Sequence, residues 1–259
     1  CELIYAEPVV YYILDSDANK ANSSSSVGYL RIRNFDDSAA ASVKTAVAAL
    51  QDSGATSLII DVRDNTSGKP AEMADALDYF LPKGDLFLLR DRDGKETTYS
   101  SGSSYLNMPM VVLVNENTTC AAEVFACIMQ QAGVTIVGRR TPGSAQSQVI
   151  VELSDGSAVR LSKFEYLTPD KKSMTDLGGV TPDIASYQIE DSDLDVQLEA
   201  ARTPCINGVR PRKFCGNLQR RDQSSVLTWD AGFRIIAGQI PARSYSVRDL
   251  RACKYRKEV

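Results

Sequence analysis

In the stretch VLVNENTTCAAEVFACIMQQAG (residues 113–134), an apolar strand run gives way to a helical pattern, and Cys120 sits at the handover. A thiol in the first turn of a helix is a candidate nucleophile. Free cysteine titrates near pKa 8.5 and a helix N-terminus lowers that value, so some thiolate is present near neutral pH without a base. Two other readings stand beside this one: the remnant of a lost nucleophile, and a small buried residue. The chain contains no His, which excludes Ser-His-Asp and Cys-His catalysis. Six Cys at positions 1, 120, 127, 205, 215 and 253 match no zinc spacing, so no metal or cofactor is expected. Cys120 and Cys127 share a helix face about 10 Å apart, beyond disulfide reach. A disulfide among Cys205, Cys215 and Cys253 stays open for a secreted protein. Cys1 is open too, as a lipid-modified start or a fragment boundary.

Alternating strands and helices must position that thiol. VGYLRIRNF (27–35) alternates as a strand, residues 36–54 form a capped Ala-rich helix ending at Gly54, and TSLIIDVRD (56–64) is a buried strand. Residues 70–84 start at Pro70 and stop at Pro82-Lys83-Gly84, as a helix does. A hairpin over 86–100 turns at Asp93-Gly94, followed by a strand (108–116), a helix (119–132) and a strand (134–138). Two further strands pair around Asp155-Gly156, and 192–202 is a last helix. Asp61 and Arg63, at the end of a buried strand, read as a structural ion pair, and Glu123 as ordinary complementation of the helix dipole.

Charge divides the chain. Residues 201–259 carry 13 Lys and Arg against 4 Asp and Glu, about +9; the rest carries 16 against 29, about −13. The tail shows no sustained period and no aromatic interleaving, so it reads as a basic appendage, disordered or non-native, rather than a nucleic-acid arm. No apolar run reaches membrane-spanning length. The expected division is a lead-in segment (1–26), one α/β domain (27–200) and the basic tail (201–259).

Five stretches, in order, resemble the carboxyl-terminal processing peptidases, or tail-specific proteases, of the S41 serine peptidase group. VGYLRIRNF is similar to the strand that follows the PDZ domain in that family, LIIDVRDNTSGKP to its Asp-Leu-Arg-x-Asn-Pro-Gly-Gly segment, and VVLVNENTTCAAEVFA to its nucleophile strand and helix. VGRRTPGSAQSQ falls on Val-Gly-x-x-Thr-x-Gly-Lys-Gly-x-x-Gln, and YLTPDKKSMTDLGGVTPDI on the closing strand and Gly-Val-x-Pro-Asp. The resemblance implies a ClpP/crotonase-like ββα-type peptidase core and a catalytic Ser-Lys pair assisted by a Gln. The chain begins where a PDZ domain would end in that family.

Carried across, the resemblance puts Cys120 at the nucleophile, Ser144 at the Lys and Gln148 at the Gln. Ser67, Gly68 and Ala121 fall at the backbone donors of the oxyanion hole. Three departures coincide: Cys for Ser, Ser for Lys, and Thr66-Ser67 in the Pro-Gly part of the turn. Lys69 and Lys163 are the lysines nearest in sequence that could replace the base. The resemblance implies an endopeptidase cleaving near protein C-termini with a degenerate site, or else a catalytically inactive pseudopeptidase that binds peptides by β-addition. A polypeptide substrate or peptide ligand and an extracytoplasmic location follow from it. The oligomeric state stays open.

Overall fold

The computed structural model describes residues 7–14, 26–102, 105–188 and 194–206. Its strands are β1 (Val9–Leu14), β2 (Ser26–Ile32), β3 (Ala55–Asp61), β4 (Gly84–Asp91), β5 (Glu96–Ser101), β6 (Met110–Val114), β7 (Thr135–Gly138), β8 (Gln146–Glu152), β9 (Ala158–Leu167) and β10 (Ile184–Ala185). The helices are α1 (Ala39–Asp52), α2 (Pro70–Phe80), α3 (Cys120–Gln131) and α4 (Val196–Ile206).

One sheet runs β1-β2-β3-β6-β7-β10; its members pair in parallel except β1, which joins β2 antiparallel at the edge. Leu58, Ile59 and Ile60 in the middle of β3 are fully buried, which a parallel strand covered by helices on both faces requires. Leu30, Ile32, Leu58, Ile60, Val112 and Val114 face one core with residues of α1, α2 and α3. Val27, Tyr29, Ile59, Val111, Leu113 and Val137 face a smaller one with Ala200, Ala201 and Cys205 of α4. The second sheet, β5-β4-β9-β8, is antiparallel. Phe87 of β4 stacks on Tyr99 of β5, ring centroids 4.8 Å apart.

Two features differ from the sequence reading. The lead-in segment contains β1, whose apolar run VVYYIL pairs with β2 from Val27 to Ile32. The last helix runs from Val196 to Ile206, four residues past the expected end at 202, and Ala201 and Cys205 are both fully buried against the sheet. Cys205 is a free thiol, and burial pushes it up to about 11. Cys1, Cys215, Cys253 and the expected tail from residue 207 lie outside the described residues.

The Asp61–Arg63 pair is structural and reaches further than its neighbours in sequence. Fully buried Asp61 accepts from the Tyr29 hydroxyl at 2.6 Å and from the Arg63 guanidinium at 2.7 Å. The same guanidinium donates to Asp195 at 2.7 Å and to the Gln197 side chain at 3.0 Å, tying the start of α4 to the end of β3. Burial alone would raise the Asp195 pKa, but hydrogen bonds from Arg63 and from the Leu198 N–H outweigh it, and the carboxyl is held below its usual range. A depressed carboxylate contributes stability that is present above its unfolded pKa and is lost as pH falls through the folded one. Acidification below about pH 4 is therefore expected to loosen α4 ahead of the sheet, seen as faster amide exchange in α4. Asp195→Asn should flatten that pH dependence; an unchanged profile would break the assignment. The effect is modest, because Asp195 is partly solvated.

Candidate active site

Three segments far apart in sequence converge on the N-terminus of α3. The first is the turn after β3. Asn65 is buried and organises it: its Nδ2 donates to the Ile32 carbonyl at 3.1 Å, and its Oδ1 accepts from the Ser67 N–H at 3.3 Å. Phe35 then clamps the turn on both sides, its N–H donating to the Ser67 carbonyl at 3.3 Å and its carbonyl accepting from Lys69 at 2.7 Å. Gly68 has φ +151°, and a Cβ there would lie 2.4 Å from the Phe35 Cβ. Only glycine fits this approach.

The second segment is the loop entering α3. The Thr119 N–H donates to the Asn65 carbonyl at 3.0 Å, and the Thr118 hydroxyl donates to the Val62 carbonyl at 3.0 Å. These bonds stitch the two loops together. Cys120, half-buried, follows with φ +53°. A non-glycine residue in the left-handed region costs about 1–2 kcal/mol, and such strain collects at functional turns.

Residues 141–144 form the third segment. The Cys120 N–H donates to the Ser144 carbonyl at 3.2 Å. Glu123, buried on the first turn of α3, holds the loop: its Oε1 accepts from the Thr141 hydroxyl and from the Gly143 N–H at 2.7 Å. Thr141 Oγ1 in turn accepts from the Val180 N–H at 2.7 Å. Glu123 Oε2 is buried without a partner among the described residues. This clasp is the role that the dipole reading of Glu123 missed.

Around Cys120, then, the N–H groups of Ser67, Thr119 and Cys120 are all engaged. Those of Gly68 and Ala121 make no hydrogen bond among the described residues. Ser144 and Gln148 are exposed, whereas the intervening Ala145 and Ser147 are buried and the register shifts between Ser147 and Gln148. Hydrogen bonds thus link Ser67 to Asn65, Asn65 to Thr119, and Cys120 to the Ser144 backbone, with Gly68 and Ala121 adjoining them in the chain. The Ser144 and Gln148 side chains face solvent. Lys69 pairs with Asp37 at 2.6 Å, and Lys163 stands 5.2 Å from the centroid of the Phe164 ring.

Tyr166 of β9, singled out by no motif, is almost completely buried. Burial holds its phenol well above the usual range; a hydrogen bond with Ser147 works against this, and the neighbouring Cys120 adds to it. Cys127 packs against the main core, and burial, with the Glu123 carboxylate beside it, pushes its thiol up to about 12.

An α/β core in which three distant segments meet at the N-terminus of α3 is the class that this fold and site define. The family model of peptidase family S41 matches residues 26–186, and the chain belongs to that family. It is 31% identical over 216 residues to a carboxyl-terminal-processing protease of Synechocystis, covering 80% of this chain and 49% of the relative. It is 32% identical over 180 residues to the chloroplastic carboxyl-terminal-processing peptidase 1 of Arabidopsis thaliana, covering 68% and 36%. A solved photosystem II D1 C-terminal processing protease superposes with a TM-score of 0.61 at 27% identity, over 78% of this chain and 53% of that one. The chain therefore spans about half or less of the length of these relatives. Its fold is the ClpP-like α/β arrangement that the sequence implied.

Proposed function

We propose that this chain is a processing-peptidase homologue that holds a polypeptide substrate against Cys120 and cleaves it poorly, because its catalytic site is degenerate. One observation carries the reading. The nucleophile turn stands beside two unengaged backbone donors, on Gly68 and Ala121, while the position of the family's base holds an exposed serine. Two donors of this kind stabilise the oxyanion of a tetrahedral intermediate. A serine hydroxyl at 144 cannot take a proton from a nucleophile at neutral pH or return one to a leaving amine. Peptide binding with no turnover at all is the second reading; the exposed edge strand β8, which begins beside Ser144, supports it, because an extended chain can add there. The proposal sets the substrates outside the cytoplasm, as the resemblance implies. Among the described residues no helix is long and apolar enough to cross a membrane.

The test is repair. Cys120→Ser alone should leave peptide cleavage at background, since the hydroxyl still lacks a base. Cys120→Ser combined with Ser144→Lys should release fragments of an unstructured peptide, read by mass spectrometry, while the unaltered protein releases few or none. Robust cleavage by the unaltered protein, abolished by iodoacetamide, would overturn the proposal. An inactive double variant that still binds the peptide would favour the second reading.

A further inference from the structure

The proton inventory around Cys120 separates two kinds of acyl substrate. Attack on an amide needs an acid, because an amine leaves only after it has been protonated. Attack on an aryl ester or a thioester needs none, because an aryloxide or thiolate leaves as a stable anion. The groups near Cys120 offer no acid. Glu123 is committed to the loop, its Oε1 accepting from the Thr141 hydroxyl and the Gly143 N–H. Tyr166 is buried and keeps its proton. Ser144 faces solvent, and the Lys69 ammonium is engaged by Asp37. None of these groups is placed as an acid, while the Gly68 and Ala121 N–H groups, from two different elements, make no hydrogen bond among the described residues and are left for an oxyanion.

We propose that Cys120 is an acyl acceptor for substrates with anionic leaving groups, aryl esters and thioesters, and forms a thioester on its own Sγ. This rests on the reading of Cys120, Gly68 and Ala121 as the nucleophile and oxyanion positions. A thiol releases its proton to water and supplies thiolate without a base. The thiolate attacks the acyl carbon, and the carbonyl π pair moves onto oxygen, where the two N–H groups hold it. The intermediate collapses, the bond to the leaving oxygen or sulfur breaks, and its electron pair departs with the aryloxide or thiolate. Water then hydrolyses the thioester, releasing the acid and restoring the thiol.

The experiment uses the full chain with 4-nitrophenyl acetate and, in parallel, 4-nitroacetanilide, which carries the same acyl group on an amine. The ester should give a burst of about one equivalent of nitrophenolate, with the acetyl group mapped to Cys120 and absent from Cys127 and Cys205. Cys120→Ala should remove the burst. The anilide should give no burst. Gly68→Ala forces the turn away from Phe35 and should slow acetylation on the order of 10²-fold, the usual effect of losing one oxyanion donor. Alkylation of Cys120 by iodoacetamide, which forms no oxyanion, should proceed as before, and this also reports that the variant is folded. Acetyl groups spread evenly over the chain's thiols would overturn the proposal, as would an equal burst from the anilide. So would Gly68→Ala slowing both reactions alike or neither. The failure of the serine–lysine repair to cleave peptides would leave this result standing, so the two proposals fail separately.

Discussion

Replacing Gly138 with alanine is expected to prevent stable folding, although no functional side chain is touched. Gly138 ends β7 with φ +129°, and a Cβ there would lie 2.0 Å from the carbonyl oxygen of Val114 and 3.1 Å from its carbon. That carbonyl cannot step aside: it accepts from the Arg139 N–H at 3.1 Å, and the Gly138 carbonyl accepts from Ser186 at 2.9 Å on the other side. Any shift therefore breaks pairing between β6, β7 and β10 at once. A cost above about 4 kcal/mol is the expected scale for such a change, a large part of the roughly 5–15 kcal/mol that holds a domain together. Gly94→Ala is the control. Its φ is also positive, at +82°, but nothing lies within 4 Å of the added Cβ, so only the backbone penalty of about 1–2 kcal/mol applies. Urea titrations that place the two variants at the same midpoint would contradict this account.

Asp61→Ala should be the most damaging change to a charged residue. It removes the acceptor of the Tyr29 hydroxyl and leaves the Arg63 guanidinium, whose side chain is 12% exposed, with Asp195 and Gln197 alone. Removing one partner of a buried pair costs about 3–5 kcal/mol; Asp195 still pairs with the guanidinium at 2.7 Å, so the lower end of that range is expected. The contrast is Asp37→Ala. Lys69 and Asp37 approach to 2.6 Å, shorter than Arg63 and Asp61, yet both are largely exposed, and solvent screening leaves such a pair little net contribution. Burial, not distance, should rank the two variants in a thermal melt. Equal losses would show that the Arg63 network relaxes into water more easily than its packing implies.

Much of the fold was legible in short-range pattern. The Asp93-Gly94 and Asp155-Gly156 turns, the Pro70 start of α2 and the apolar runs of β3 and β6 each carry a local signal, and each element forms where that signal lies. What the sequence did not show depends on partners chosen across the chain. Strand β1 fell in the stretch read as a lead-in, and its antiparallel place beside β2 is decided by tertiary pairing. The end of α4 was set at 202 because no sustained period follows in the sequence, whereas the helix, with Pro204 inside it, runs on to Ile206 and buries Cys205. At the site, the family motifs pointed to Cys120 and Gly68. The Glu123–Thr141 clasp, the Arg63–Asp195 tie across 132 positions and the buried Tyr166 have no spacing that would reveal them.

The loop that meets Cys120 keeps its two jobs on different atoms. Its architecture rests on the Ser144 carbonyl, the Gly143 N–H and the Thr141 hydroxyl, whereas the Ser144 side chain extends into solvent. A substitution there alters neither packing nor a backbone bond, so the folded state is indifferent to what the side chain is. On the proposed reading of the site, selection sees that position only through turnover. Once turnover ceases to matter, the codon is free to drift while the scaffold persists, and a lineage can shed its chemistry there without first becoming unstable.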